Sequence, residues 1–315
     1  MPRIVTVTLN PAIDRVYRAP GLHTGDTALL EPLAIRPGGK GLNVSRSLAR
    51  LNIPSICIAP VAHTELDNFR AEFSNVCAGL VADALVPTTP PMRHTITLLD
   101  PEAPSVTHLR EPGHPLQEET LAEIESRLVA LANPDTIIAF CGSLPPSALT
   151  TRIAAKVRAL AATGAILSID ASSTFLRECA SIPGIILKVN QHEWGAMARV
   201  PIDTPADAVR AARAHPHLRA CVITLGSEGV VLSTPDLALH AQTPVPASEN
   251  PFCTVGCGDA AHAGFLAALP HALPDALRSA SAAGTSAAFS REPGTIFQPS
   301  YTANLHSTLL REVRL

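Results

Sequence analysis

The sequence predicts an α/β fold, with a mostly parallel central sheet, helices on its faces and a small β-sheet inserted beside it. Three observations carry that expectation. Short β-branched or apolar runs alternate with amphipathic segments, the pattern of βαβ units. The strand-like runs are apolar at successive positions, as strands buried on both faces must be. Two stretches, residues 14–36 and 93–110, break the rhythm: from Arg15 to Arg36 and from Arg93 to Leu109 polarity alternates and no long helix intervenes.

Strands are expected at Ile4 to Leu9, Ile56 to Pro60, Thr136 to Phe140, Ala165 to Ile169, Gly184 to Val189 and Ala220 to Leu225. Helices are expected at Leu42 to Leu51, Gln117 to Leu131, Ser147 to Ala162 and Pro205 to Ala214. In the second of these, Leu121, Ile124, Leu128 and Leu131 fall along one face. Two further helices, Ala260 to Leu269 and Pro274 to Ser290, close the chain. The 29 prolines punctuate loops rather than cluster, and no linker, repeat or low-complexity tract is found. One domain over residues 1–315, with an inserted lid, is therefore expected.

At 315 residues and 46% apolar content the chain can bury a substantial core. A formal net charge of −3 with 16% charged residues provides no basic field for a nucleic-acid backbone or an anionic membrane, so a small-molecule partner is expected. The seven cysteines are scattered, with no C-x-x-C pair, and read as reduced thiols of a cytoplasmic protein. No signal-peptide pattern and no uninterrupted membrane-length apolar run is found.

Four constellations can carry chemistry. In Thr254-Val-Gly-Cys-Gly-Asp259, Gly256 and Gly258 let successive amides converge, and the apolar helix that follows adds its positive end, which makes a phosphate cradle. Asp259 at that helix start is poised to accept a proton; an ordinary N-capping Asp after a glycine turn is the alternative. In Pro37-Gly-Gly-Lys-Gly-Leu-Asn43, amides, Lys40 and the Asn43 amide converge at a helix start, which suits sugar hydroxyls and a phosphate. It is neither a Walker A loop nor a dinucleotide fingerprint, and a structural turn is its rival. In Lys188-Val-Asn190-Gln-His-Glu193, Asn190 and Glu193 share a helix face and can order a water shell around Mg²⁺, or simply form a capping box. Thr224-Leu-Gly-Ser-Glu-Gly229 is another strand followed by a glycine turn, with a plain hairpin as the alternative.

In this order the four stretches resemble the phosphofructokinase B family of sugar kinases. The start, Thr8-Leu-Asn-Pro-Ala-Ile-Asp14-Arg, is similar to the branch containing 1-phosphofructokinase and tagatose-6-phosphate kinase. Arg93, Glu111-Pro-Gly113, Gly142-Ser-Leu-Pro-Pro146 and Ala282-Ala-Gly284 extend the resemblance over nearly the whole chain. It implies a ribokinase-like three-layer αβα sandwich and an ATP- and Mg²⁺-dependent kinase of a ketohexose phosphate. Fructose 1-phosphate is the first expectation. Tagatose 6-phosphate, fructose 6-phosphate or another sugar or nucleoside, and a catalytically weak sugar-phosphate sensor, stay open.

Carried over by position, the resemblance implies that Asp14, Gly38, Gly39, Lys40, Asn43, Arg93 and Ser143 hold the sugar phosphate, Arg93 gripping its phosphate as a fork. Lys188, Asn190, Thr224, Gly226, Gly229 and Thr254 would line the nucleotide site, and Glu193 would arrange Mg²⁺ through water. Gly256, Cys257 and Gly258 would offer amides to the transferring phosphoryl group while Asp259 takes the acceptor's proton. The strands at 14–36 and 93–110 would form a lid, and lids of this family commonly pair into a dimer.

The chain also departs from the family pattern. The usual Thr-Glu-x-Asn-Glu-Pro-Gly reads Thr107-His108-Leu109-Arg110-Glu111-Pro112-Gly113, so a carboxylate and an amide have become basic or potentially basic. A glycine-rich loop is replaced by Val61-Ala-His-Thr-Glu-Leu66, Val189 stands for a proline, Ala260 follows Asp259 where Ser is usual, and no basic residue lies between Gly25 and Leu33. Cys257 is expected to be a small packed side chain rather than a redox-sensitive thiol, Trp194 to pack in the core or lid, and His192 and His262 to be structural or surface residues rather than zinc ligands.

Overall fold

Alternation along single strands dictates the layering. Within Thr136–Cys141, Ile137, Ala139 and Cys141 join one buried cluster while Ile138 and Phe140 join the other, so the strand is covered on both faces. The computed structural model describes residues 2–100, 105–146, 149–171, 173–245, 251–290, 292 and 294–315.

In chain order the strands are β1 (Arg3–Val7), β2 (Ala12–Arg18), β3 (Glu31–Gly38), β4 (Ser55–Ile58), β5 (Pro60–Ala62), β6 (Val81–Asp83), β7 (Val86–Thr88), β8 (Arg93–Asp100), β9 (Ser105–Arg110), β10 (Thr136–Cys141), β11 (Ile166–Asp170), β12 (Ile186–Asn190), β13 (Ala220–Thr224), β14 (Val230–Ser233), β15 (Ala238–Gln242) and β16 (Leu309–Glu312). The helices are α1 (Lys40–Arg50), α2 (Leu66–Asn75), α3 (Glu118–Leu131), α4 (Thr150–Ala161), α5 (Ser173–Cys179), α6 (Gln191–Ala198), α7 (Pro205–Arg213), α8 (Cys257–Ala268), α9 (Leu273–Ala288) and α10 (Gln298–Ser307).

The main sheet runs β16-β15-β14-β13-β12-β11-β10-β1-β4-β6. From β6 to β13 all pairs are parallel, and the β13-to-β16 edge is antiparallel. One face carries α3 to α7 through residues such as Leu121, Ile153, Phe175, Trp194 and Val209; the other carries α1, α8 and α9 through Leu48, Phe265 and Leu277. This is the expected three-layer αβα sandwich. Helices α8 and α9 touch closely because Gly264 has no side chain: a Cβ there would lie 2.5 Å from the Ser279 carbonyl oxygen.

A second sheet, β3-β2-β8-β9, stands apart, formed by the two stretches that broke the alternation. Residues 101–104, between β8 and β9, lie outside the described residues, as do Ser147 and Ala148, where the sequence placed the start of α4. Helices α2, α5 and α10 and the strands β6, β7, β15 and β16 are not among the elements expected from the sequence, while α6 and β14 are expected there only as a capping box and a hairpin. Helix α10 buries no residue, so it carries no apolar period to read. Among the described residues no helix is long and apolar enough to cross a membrane.

Candidate active site

Parallel strands bring their carboxyl ends to one edge, where α/β sheets place ligand groups. Register aligns Cys141 with Asp170, and Asn190 with Thr224. Gly142 and Ser143 follow the first of these ends, and Lys188 lies on β12.

Two helix starts face each other across this edge. Helix α8 begins after Gly256, whose φ of +77° costs an L-residue about 1–2 kcal/mol. A Cβ at that position would also lie 2.6 Å from the Gly294 Cα. The first N–H groups of α8 have no intrahelical partner and open onto the edge with the dipole's positive end. Asp259, 6% exposed in the first turn, accepts a hydrogen bond from Asn43 Nδ2 at 2.8 Å. Asn43 belongs to α1, which starts after Gly39 at φ 127°. The Asn43 amide is held in that orientation by Arg46, whose Nη1 donates to Asn43 Oδ1 (2.8 Å), whose Nη2 donates to the Pro37 carbonyl (2.8 Å) and whose Nε pairs with Glu72 at 2.6 Å.

Beneath these groups lies a buried charge cluster. Asp170, fully buried at the end of β11, receives Lys40 Nζ at 2.6 Å on one oxygen and Lys188 Nζ at 2.7 Å on the other. His262, also fully buried, meets Ser168 Oγ at 2.7 Å through Nε2 and lies 3.8 Å from Asp170 through Nδ1. A Cβ at Gly258 would lie 3.1 Å from Lys188 Nζ, so the α8 turn rests on this cluster.

On the small sheet, Asp14 lies over Gly38 and accepts a short hydrogen bond from Thr95 Oγ1. Arg93 is more committed than a free phosphate fork. Its Nε donates to the Asn10 and Pro11 carbonyls (3.1 and 3.3 Å), Nη2 to Asn10 (2.8 Å) and Nη1 to Glu111 (3.0 Å), leaving one N–H on each terminal nitrogen. Asn10 Nδ2 reaches Ser143 Oγ at 3.3 Å and the Pro112 carbonyl at 3.1 Å, tying the small sheet to the Gly142 turn.

A family comparison decides what kind of protein this edge belongs to: the model of the pfkB family carbohydrate kinases matches residues 3–299. The chain belongs to the pfkB family of carbohydrate kinases. It is 26% identical to the 1-phosphofructokinase of Bacillus subtilis over 93% of this chain and 94% of that one. Its identity to the 1-phosphofructokinase of Rhodobacter capsulatus is 30%, over 91% and 89%. The Escherichia coli phosphofructokinase-2 solved in complex with substrates and products superposes with a TM-score of 0.86 at 23% identity, covering 96% of this chain and 98% of that one. The fold is thus ribokinase-like and the protein is a carbohydrate kinase.

Electrostatics distinguish the groups of this pfkB kinase. Burial, aided by the Asp170 charge, raises the Asp259 carboxyl to about 6, against the pull of Lys40, Lys188 and the Asn43 hydrogen bond. Burial pulls Asp170 upward too, but Lys188, Lys40 and His262 outweigh it and hold that carboxyl well below the usual range. Burial opposes the Lys40 charge, yet Asp170, Asp259 and Glu193 together raise its pKa. Burial pushes His262 down to about 3, so the imidazole is neutral. The two buried carboxylates thus divide: Asp170 stays ionised between two ammonium groups, and Asp259 titrates near neutrality.

The remaining expected positions lie along the same edge. Asn190 and Glu193 form a capping box at the start of α6, with Glu193 N–H donating to Asn190 Oδ1 at 2.8 Å and Asn190 N–H to Glu193 Oε2 at 3.2 Å. Glu193 Oε1 takes part in none of the described hydrogen bonds. Thr224 Oγ1 donates to the Val189 carbonyl at 3.4 Å, and the turn through Gly226 (φ 60°) and Gly229 (φ 95°) leads into antiparallel β14, so this stretch is indeed a hairpin. Thr254 is exposed just before the α8 turn. Burial pushes the Cys257 thiol up to about 12, so it is no thiolate in spite of the helix start. Trp194 is core, its ring tilted at 56° to that of His215 with centroids 5.4 Å apart.

Sequence reasoning missed Asp170, Arg46, Asn10 and Ser168, and left His262 as a structural or surface side chain where it is buried against Asp170. The available signal was Asp170 itself, an acid closing an apolar strand at its carboxyl end.

Proposed function

We propose that the protein transfers the γ-phosphoryl group of ATP to a hydroxyl of a ketohexose phosphate, with fructose 1-phosphate the acceptor and fructose 1,6-bisphosphate the product. The observation that carries this reading is the Asn43–Asp259 hydrogen bond, which joins the sugar-facing helix start to the amide-lined start of α8 and holds a carboxylate that titrates near neutrality between them. The 1-phosphofructokinase relatives support the choice of acceptor.

Asp14, Gly38, Gly39 and Asn43 orient the acceptor, and Ser143 with the two remaining Arg93 N–H groups faces its phosphate end. Asp259 takes the proton of the attacking hydroxyl as its oxygen bonds to the γ-phosphorus and the bond to the ADP oxygen breaks. The amides of Gly256, Cys257 and Gly258 stabilise the charge spreading over the transferring oxygens. Lys188, Asn190, Thr224, Gly226, Gly229 and Thr254 border the nucleotide. Gly226 suits that role, since an added Cβ there would meet nothing within 4 Å, whereas at Gly229 it would lie 2.2 Å from the Ala241 carbonyl oxygen, so that glycine serves the hairpin. Glu193 and Asn190 are oxygen donors suited to Mg²⁺ held through water, and Glu193 has one oxygen outside its capping box. When bound, Mg²⁺ neutralises phosphate charge.

The test is coupled ADP release with fructose 1-phosphate, fructose 6-phosphate, tagatose 6-phosphate, fructose and a nucleoside. The expected result is the highest kcat/KM with fructose 1-phosphate. Preference for an unphosphorylated acceptor contradicts the proposal, and binding of sugar phosphate without turnover supports a sensor instead.

The small sheet acts in this proposal as a lid that keeps water from competing with the acceptor. Its face away from Asp14 bears Ile35 and Leu109, 56% and 51% exposed, on one cross-strand row with Arg15 and Ile96. An apolar row of this kind fits a second copy of the chain. Ile35→Glu with Leu109→Glu is expected to turn a dimer into a monomer by light scattering. A wild-type chain that is monomeric at assay concentration contradicts the dimer.

A further inference from the structure

Arg36, Arg93 and Arg110 share the crevice face of the small sheet with the Asp14 carboxylate. Register places Arg36, Asp14, Thr95 and Arg110 on one row across β3, β2, β8 and β9. Directly paired residues share a face, and the Thr95–Asp14 hydrogen bond bears this out. One step along the same face His108 pairs with Thr97, and Thr97 Oγ1 meets His108 Nδ1 at 3.1 Å. One step the other way lies Arg93, opposite Ala12.

The guanidinium of Arg110 is exposed and has no hydrogen-bond or ion-pair partner among the described residues. Its charge works against that of Arg93, and after burial it is the larger influence holding the His108 imidazole toward its neutral form. Asp14 and Glu111 act on Arg93 through their charge, but their hydrogen bonds go to Thr95 and to the His94 N–H at 2.7 Å, and neither forms an ion pair with Arg110. Like charges on adjacent strands are destabilising. Such a cluster is relieved by an anion lodged among its members. Arg110 and Arg93 are diagonal neighbours, about 7–8 Å apart at the backbone, a span that two long guanidinium side chains can close around one phosphate.

We propose that Arg110, with His108 beside it, is the specificity-determining position of the acceptor site and receives the anionic group of the sugar phosphate. This rests on the acceptor site proposed above. Arg93, clipped to three backbone carbonyls, then serves chiefly to hold the sheet to the β1–β2 turn and offers its two spare N–H groups to the same anion. His108 and Arg110 stand where the family pattern has a carboxylate and an amide, so the preference for an anion at this point belongs to this chain.

The test is calorimetric titration of wild type, Arg110→Gln and Arg110→Lys with fructose 1-phosphate and with fructose, alongside steady-state KM for acceptor and ATP. Arg110→Gln is expected to weaken fructose 1-phosphate binding roughly ten- to hundred-fold, leaving fructose affinity and the ATP KM unchanged, while Arg110→Lys recovers part of the loss. Arg110→Gln binding fructose 1-phosphate within about twofold of wild type overturns the proposal, as does an equal weakening of fructose, or a wild type that binds the two ligands alike. Selective loss of fructose 1-phosphate binding in Arg110→Gln, with a wild type that binds the ligand but shows no turnover, would sink the kinase reading and uphold this one.

Discussion

Asp170→Asn is expected to lower the stability of the folded chain by about 3–5 kcal/mol, read as a fall in the urea midpoint at unchanged slope. The carboxylate is fully buried and carries two ammonium groups at 2.6 and 2.7 Å. Asparagine keeps the shape but removes the charge, leaving Lys188, with its side chain 5% exposed, without compensation. Lys40, whose side chain is 36% exposed, can swing toward Asp259 or water, so the larger share of the cost falls on Lys188. The double variant Asp170→Asn/Lys188→Met is therefore expected to recover much of the loss, because a buried pair replaced as a whole costs far less than one broken in half. No recovery would mean that the cost lies in packing around β11 rather than in charge.

Asp259→Asn is expected to lower kcat roughly 10²–10⁴-fold while leaving the KM values for ATP and acceptor within a few-fold. The amide retains the shape of the side chain and can still meet Asn43, but it accepts no proton. Stability should move in the opposite direction. The Asp259 carboxyl titrates higher in the folded chain than in the unfolded one, so ionising it works against folding as pH rises from its ordinary value through about 6. At neutral pH the asparagine variant escapes that penalty and should be the more stable protein, as expected where a strained group is kept for chemistry. A variant both inactive and less stable would place Asp259 among structural residues.

How much of this was legible in the sequence depended on the kind of signal. The strands of the parallel core other than β6 are expected within about two residues of their observed bounds, because burial on both faces leaves near-continuous apolar runs, whereas β6 has three residues of which two are exposed. Short length or lack of burial hid the rest: β14 and β15 are buried but only four and five residues long, β16 is largely exposed, and α10 has no buried residue. The glycine turns before α1 and α8 were visible because their backbones take positive φ at Gly39 and Gly256, which restricts the residue type. Asp170 was not, since its partners lie 130 and 18 residues away and no spacing links them. Arg46 was hidden for a related reason. An arginine inside a helix reads as a solvated face, whereas here Glu72, the Pro37 carbonyl and Asn43 together satisfy it in the interior. Arg93 shows the reverse case: its position was read from the sequence, while the carbonyls that occupy it became visible only once the β1–β2 turn was in place.

The proposed role of Asp259 is tested most directly by the dependence of kcat/KM for fructose 1-phosphate on pH between 5 and 8. Activity is expected to fall as pH drops, through an apparent pKa near the value of about 6 to which burial raises this carboxyl, and the limb should vanish from the residual rate of Asp259→Asn. A profile that is flat across that range in the wild type, or the same limb persisting in the variant, would contradict it.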